Sequence, residues 1–352
     1  MNWTGHALRI AQVAPPIEAV PPPGYGGTER IVHALLVELE RRGHEVTLFA
    51  SGDSTWSGRL VPTVDRSLRA ADLADDPAPY VLATLNTALA TSAEFDVVHA
   101  HLDWAGIVLA RASRTPVVAT FHGRLDRPWA AILLDDPPAG VSAVSHAQAA
   151  AQPDVAWTVV HNGLPLEDAP FEQEPSDMLC FVGRMTPDKG PHRAIELARR
   201  TGRRLRLAAK DPATAAERDF FEQIVRPALH TAEVEFLGEL SRAECQQLFA
   251  DSYATLMPGD WPEPFGLVAI ESLASGTPVV ARGVGGLLEI VRDGIDGVLG
   301  DDLATLVRRL PEVDGLDRAA IRASVLDRFS VGRMADGYEA LYRRLLATPS
   351  GA

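Results

Sequence analysis

Apolar and polar positions fall into two successive series along this chain. In the first, residues 8–14 read as a buried strand, 28–42 as an amphipathic helix closed by Gly43, and 45–50 as a second strand. Apolar runs at 96–100, 116–121, 141–144 and 158–160 predict further strands, with helical spacing at 79–93 and 104–112. Continuous apolar strands alternating with helices make a parallel, doubly wound sheet. The Pro- and Gly-rich loop 15–27 lies between the first strand and first helix, where such sheets bind ligands.

After Asn162-Gly163 the polar stretch 164–177 carries acidic residues and prolines and reads as a linker. A second α/β series follows, with strands at 178–182, 205–209, 234–237, 254–257 and 278–281. Its helices are expected at 191–200, 213–229, 242–249 and 265–274. Near the end, Met334, Tyr338, Leu341, Tyr342 and Leu345 have the spacing of one amphipathic helix. The pattern divides the chain into an N-terminal Rossmann-like domain, 1–165, and a C-terminal one, 176–330. No repeat or low-complexity tract interrupts it.

Bulk properties narrow the function. At 352 residues and 46% hydrophobic content the chain can build two ordinary cores. A formal net charge of −14 disfavours nonspecific binding to nucleic acid or anionic membrane and points to small-molecule partners. Cys180 and Cys245 have neither metal nor redox spacing and suit a reducing compartment. No apolar run has spanning length and no signal peptide is apparent, so the cytoplasm is the expected location. The sequence does not specify an oligomeric state.

The densest chemistry lies in Pro262-Glu263-Pro264-Phe265-Gly266-Leu267 and the helical residues after it. Two prolines hold Glu263 in an extended loop just ahead of a helix N-terminus. There the backbone N–H groups of Gly266 and Leu267 lack intrahelical partners and the helix dipole adds positive character, which favours an anion such as a diphosphate. Glu271 follows Leu267 by one turn, about 6 Å along the axis, within reach of a ribose beside that diphosphate. Glu263 would face the hydroxyls of a sugar on the distal phosphate. A bare pair of glutamates carries little weight; the proline, Phe-Gly and strand context gives it weight.

Other signals sit at strand ends. Arg184 and Lys189, in Gly183-Arg184-Met185-Thr186-Pro187-Asp188-Lys189-Gly190, would meet and neutralise the same diphosphate. Of 33 basic residues only Lys189 and Lys210 are lysine, which marks both as places where a compact charge matters. Backbone groups near Leu237-Gly238 are candidates for contacting the base. In the first half, Thr28 reads as a helix N-cap, and Gly26-Gly27 would let backbone N–H groups approach a phosphate. Thr28, Glu29 and Asp103 are candidate acceptor contacts, Asp103 as a base. His122 ends a strand, and His99 and His101 flank another strand end, where packing serves as well as binding. No Asp-x-Asp and no zinc spacing occur, so no metal or cofactor is expected and the diphosphate would be neutralised by Arg, Lys and helix ends.

Together these residues resemble the family-4 retaining glycosyltransferases of the GT-B fold. The motifs agree in order: Gly26-Gly27-Thr28-Glu29-Arg30, Thr120-Phe121-His122, Asn162-Gly163, Gly183-Arg184 with Lys189-Gly190, and the block from Glu263 to Glu271. The resemblance implies two Rossmann-like domains facing a cleft, the donor held mostly by the second. It also implies a last helix, about 331–348, crossing back to the first. By position, Arg184 and Lys189 would hold the donor diphosphate, Glu271 the ribose, Glu263 the transferred sugar, and His122 its C6 hydroxyl near the reacting centre. The reaction implied moves a hexosyl unit from a nucleotide sugar, with UDP favoured by family frequency, to a hydroxyl acceptor with retention. A sugar-nucleotide epimerase, a disaccharide phosphorylase and a noncatalytic nucleotide-sugar-binding module remain alternatives. The acceptor, the sugar and the role of Lys210 are left open.

Overall fold

In the computed structural model, which describes residues 6–24, 26–73, 76–212, 214–231 and 233–347, the strands pair in parallel in two separate sheets. Tyr25 of the first-loop motif, Ala213 at the start of one expected helix and Thr348 at the end of another lie outside the described residues.

The first sheet contains β1 (Arg9–Val13), β2 (Glu45–Ser51), β3 (Arg59–Val64), β4 (Val97–Ala100), β5 (Val117–Phe121), β6 (Val141–Ala143) and β7 (Thr158–Val159), in the order β3-β2-β1-β4-β5-β6-β7. The second contains β8 (Leu179–Arg184), β9 (Leu205–Lys210), β10 (Val234–Gly238), β11 (Ala254–Met257), β12 (Val279–Arg282) and β13 (Gly297–Gly300), in the order β10-β9-β8-β11-β12-β13. In each, the chain winds outward from one strand, returns, and winds out on the other side. Strand order therefore reverses between β1 and β4 and between β8 and β11, and the carboxyl ends beside those points are where open α/β sheets bind ligands.

Each sheet has its own core. Leu179, Phe181, Leu207, Leu256 and Val280 pack with Ile195 and Leu197 of the helix Pro191–Thr201 and with Leu306. Val13, Phe49, Val98 and Ala100 pack with Leu85 and Leu109. Each of the Val, Leu, Ile and Phe side chains among these, fully buried, contributes roughly 1.5 to 3 kcal/mol.

The chain divides into two units. One runs to Pro165 and takes in the chain again from Phe329; the other is Leu166–Arg328. Residues 166–177, expected as a linker, are tied to the second unit: Arg322 Nη1 donates to Ala169 O at 2.7 Å and Arg318 Nε to Glu172 O at 2.8 Å. The last helix, Val331–Ala347, belongs to the first unit, where Arg42 Nη1 reaches Asp336 at 2.7 Å and Glu339 at 3.0 Å.

Several elements differ from the sequence expectation. The single helix expected at 213–229 is instead Ala215–Phe220, a π-helical turn at Phe221–Val225 and Arg226–Ala228. Pro227 supplies no N–H, and its ring crowds the carbonyl four residues back, so the helix widens ahead of it. The helix expected from 265 begins at Leu267. The strands β3 and β13 were not anticipated, nor were the helices Pro128–Leu133, Leu303–Arg309 and Arg318–Arg328.

Candidate active site

On the second unit the candidate residues gather at the carboxyl ends of β8, β9, β10 and β11. Arg184 is the last residue of β8 and Lys210 the last of β9, and the two are register partners. Leu237 lies one residue before the end of β10, next to Gly238, where the register shifts. The loop after β11 leads through Asp260, Trp261 and Glu263 to the helix Leu267–Ala274.

Two loops touch there, backbone to backbone. A Cβ on Gly259 would stand 2.2 Å from Asp188 O, and Trp261 N donates to that same oxygen at 3.2 Å. A glycine at 259 is thus required by space, and its consequence is chemical: the loop after β8 is laid against the loop after β11. Lys189 Nζ consequently pairs with Glu263 Oε1, with both side chains mostly buried, and sits 5.9 Å from the centroid of the Trp261 ring. The peptide of Glu263 is fixed as well, since its carbonyl accepts from Gly286 N at 2.7 Å.

The sequence led us to expect Arg184 and Lys189 facing one anion. Each has a carboxylate neighbour, Lys189 with Glu263 and Arg184 Nη2 with Asp188 Oδ2 at 3.9 Å. Lys210 Nζ lies 3.8 Å from Glu239 Oε1. In a strongly acidic chain local carboxylates lie close to the basic groups and offset their charge. Sequence reasoning missed a second basic pair: Arg193 and Arg282 both grip Asp260, at the start of the same loop. Its only sequence signal was an Asp two residues ahead of the Pro-Glu-Pro.

Gly266 caps the helix Leu267–Ala274 with φ 123°, and no side chain caps that end. The glycine has a structural cause separate from any ligand: its φ lies in the left-handed half, and a Cβ would meet Leu287 Cδ2 at 2.8 Å. The sequence reading gave the residue to close phosphate approach; the positive φ is by itself a reason for glycine there. Phe265, 3% exposed, anchors the turn in the core. Glu271 lies on this helix one turn after Leu267, with most of its side chain buried.

On the first unit, the helix Gly27–Arg41 starts one residue earlier than expected. Gly26 is its N-cap, and Thr28 lies inside the first turn instead of capping it. Arg30 N donates to Gly26 O at 3.1 Å. Glu29, expected toward an acceptor, is buried, and burial, with the neighbouring Glu18 carboxylate adding to it, pushes its carboxyl up to about 7. Glu18 is itself ion-paired with Arg69.

Asp103 has φ 47°, and its Oδ1 accepts from His122 N at 2.7 Å and Gly123 N at 3.2 Å. The carboxylate proposed from sequence as a base is thus a brace for the loop that carries His122. His122 follows β5 directly, and its Nε2 lies 2.9 Å from His101 Nδ1. Burial lowers the His122 imidazole to about 4. His99 and His101, ambiguous in sequence, are fully buried and hydrogen-bonded. Cys180 is buried beside Thr255 Oγ1, and burial pushes its thiol up to about 11.

Comparison with known proteins bears on the family and the fold. Residues 25–168 match the family model Glycosyltransferase Family 4, and residues 166–310 match Glycosyl transferases group 1. The chain is 29% identical to glycogen synthase of Mycobacterium tuberculosis over 335 residues, 79% of each chain. It is 29% identical to AviGT4, a glycosyltransferase involved in avilamycin A biosynthesis, with a TM-score of 0.73 over 97% of this chain and 98% of that one. HepE of Anabaena, solved with UDP and glucose, shares 19% identity and the fold, with a TM-score of 0.73 over 96% of this chain and all of the other.

Two parallel, doubly wound α/β units with these structural neighbours define a GT-B glycosyltransferase. The chain belongs to the family-4 type of these enzymes and is a hexosyltransferase. Among the described residues no helix is long and apolar enough to cross a membrane.

Proposed function

We propose that this enzyme transfers a hexosyl unit from a nucleotide sugar, a UDP-sugar, to a hydroxyl acceptor with retention of configuration and without a metal ion. The observation that carries this reading is the contact of Lys189 with Glu263 immediately before the uncapped helix end at Gly266. A cation, a carboxylate and a helix N-terminus without a side-chain cap, near a strand-order reversal, suit a sugar diphosphate.

In this reading an arriving diphosphate takes Arg184 in a forked grip and draws Lys189 to itself as a point charge. Glu263, released from Lys189, accepts from hydroxyls of the transferred sugar, while Glu271 accepts from the ribose. His122 contacts the sugar near its C6 hydroxyl. The leaving diphosphate, its charge held by Arg184, Lys189 and the helix end, takes the acceptor proton on the face it departs from. The acceptor oxygen then bonds to the anomeric carbon on that same face. Catalysis is chiefly electrostatic and needs no covalent intermediate on the enzyme. UDP is supported by the bound nucleotide in HepE, and the cytoplasm by two cysteines that form no disulfide.

The test is product analysis with UDP-, GDP- and ADP-sugars, first ranked by thermal stabilisation. The product anomer should match that of the donor by NMR, and EDTA should leave the rate unchanged. Glu263→Gln, Arg184→Ala and Lys189→Ala should each lower kcat/KM by about a hundredfold or more while circular dichroism stays native. Wild-type turnover in all three would refute the reading. Conversion of donor without acceptor, or sugar phosphate formed from a glycoside and free phosphate, would reassign the chemistry to an epimerase or a phosphorylase.

A further inference from the structure

A chain of buried hydrogen bonds starts at His122 and ends on the last helix. His101 Nε2 is 2.8 Å from Gln12 Oε1, an atom that can only accept, so the proton of His101 sits on Nε2. A neutral His101 then has a bare Nδ1, which faces His122 Nε2 at 2.9 Å and makes His122 the donor there. On its other side, Gln12 Nε2 donates to Tyr342 Oη at 3.2 Å. The Tyr342 hydroxyl donates onward to His99 Nδ1 at 2.7 Å, and His99 Nε2 donates to Thr120 Oγ1 at 2.7 Å. Thr120 completes the chain on Tyr338 Oη at 3.4 Å. Every donor of the chain has an acceptor only when His99 and His101 are neutral, and burial favours this by lowering both, as it lowers His122.

We propose that His101, Gln12 and Tyr342 are positioning residues that hold His122 as its Nε2–H tautomer, so that its Nδ1 is presented as a hydrogen-bond acceptor for a substrate hydroxyl. The proposal rests on the reading of His122 as a sugar contact and adds what the contact is: a lone pair that accepts a hydrogen bond donated by the hydroxyl. Asp103 supports the same aim from the backbone by holding His122 N. The last helix thereby enters the chemistry through Tyr342.

Two measurements separate this proposal from its premise. In protein labelled with 15N-histidine, assigned through His122→Gln, His122 should show a protonated Nε2 and an unprotonated Nδ1 at pH 7. His101→Leu removes the acceptor and should let both tautomers populate, lowering kcat at least tenfold while the donor KM stays within twofold. His101→Asn returns an amide oxygen near the place of Nδ1 and should recover most of that kcat. Tyr342→Phe should lie between the two. An Nδ1–H tautomer or an imidazolium in the wild-type spectrum overturns the proposal, as do equal rates for His101→Leu and His101→Asn. The spectrum decides the matter even where a variant does not fold. Wild-type turnover in His122→Ala would overturn it through its premise, and the tautomer recorded by NMR tells that failure from the other.

Discussion

At the scale of single residues, Glu29 shows how burial sets chemistry. Its carboxyl, about 7 in the fold against an ordinary 4.5, keeps a proton through a range of pH where the unfolded chain has released it. Folding is thus favoured by the neutral carboxyl at low pH, and this contribution is lost as pH rises through 7. Glu29→Gln keeps the shape and cannot ionise. Relative to wild type it should gain about 2 to 3 kcal/mol of unfolding free energy between pH 5 and pH 8, measured by urea titration at both. A difference between the two proteins that does not change with pH would mean that Glu29 ionises freely in the fold. Residues also show the limit of reading from sequence. Lys189 and Glu263 were each recognisable from their neighbours, but their contact was not. It depends on the close approach of Gly259 to Asp188 O, across 71 residues of chain. Gln12, alone among apolar neighbours in β1, was a signal of the buried chain that ends on His122; its partners come from β4 and the last helix, and nothing local names them.

At the scale of elements, the junction at Gly266 joins a strained backbone to a binding surface. Gly266→Ala places a Cβ against Leu287 at a φ that L-residues avoid, and should destabilise the protein by about 1 to 3 kcal/mol in urea. Because the turn carries Glu263 and leads into the helix end, donor-induced thermal stabilisation should fall with it. Unchanged stability would show that the helix can begin without this conformation. The elements that escaped the sequence did so for physical reasons. In β13 two of four residues are glycine, a poor strand former; yet a Cβ on Gly297 would lie 2.0 Å from Val279 O, so the close pairing with β12 requires it. β3 is an edge strand without a buried face, and so without alternation to read. The long apolar strands β1, β2, β5, β8 and β11 were legible because continuous apolar runs leave little alternative to a covered parallel sheet.

At the scale of the whole molecule, one cation gathers several of the contacts that hold the last helix to the first unit. Arg42 contacts Glu38, Asp336, Glu339 and the carbonyl of Gly332, and both Glu38 and Glu339 are about 5% exposed or less. Arg42→Met would leave these carboxylates with much less compensation, at a loss of about 3 kcal/mol in unfolding free energy. The effect should appear in the transition of the first unit, followed through tryptophan fluorescence, since Trp56, Trp104, Trp129 and Trp157 all belong to it. A loss below about 0.5 kcal/mol would assign the docking of the helix to Tyr338 and Tyr342 alone.

The register that sets Arg184 across from Lys210, and the loop after β8 that carries Lys189, have a practical consequence. A chain that spells nearly all its cations as arginine has kept its two side-chain amines on one rim of one sheet. Chemistry that seeks primary amines, such as methylation with an isotopic tag, would therefore write its mark on that rim and leave every other side chain silent.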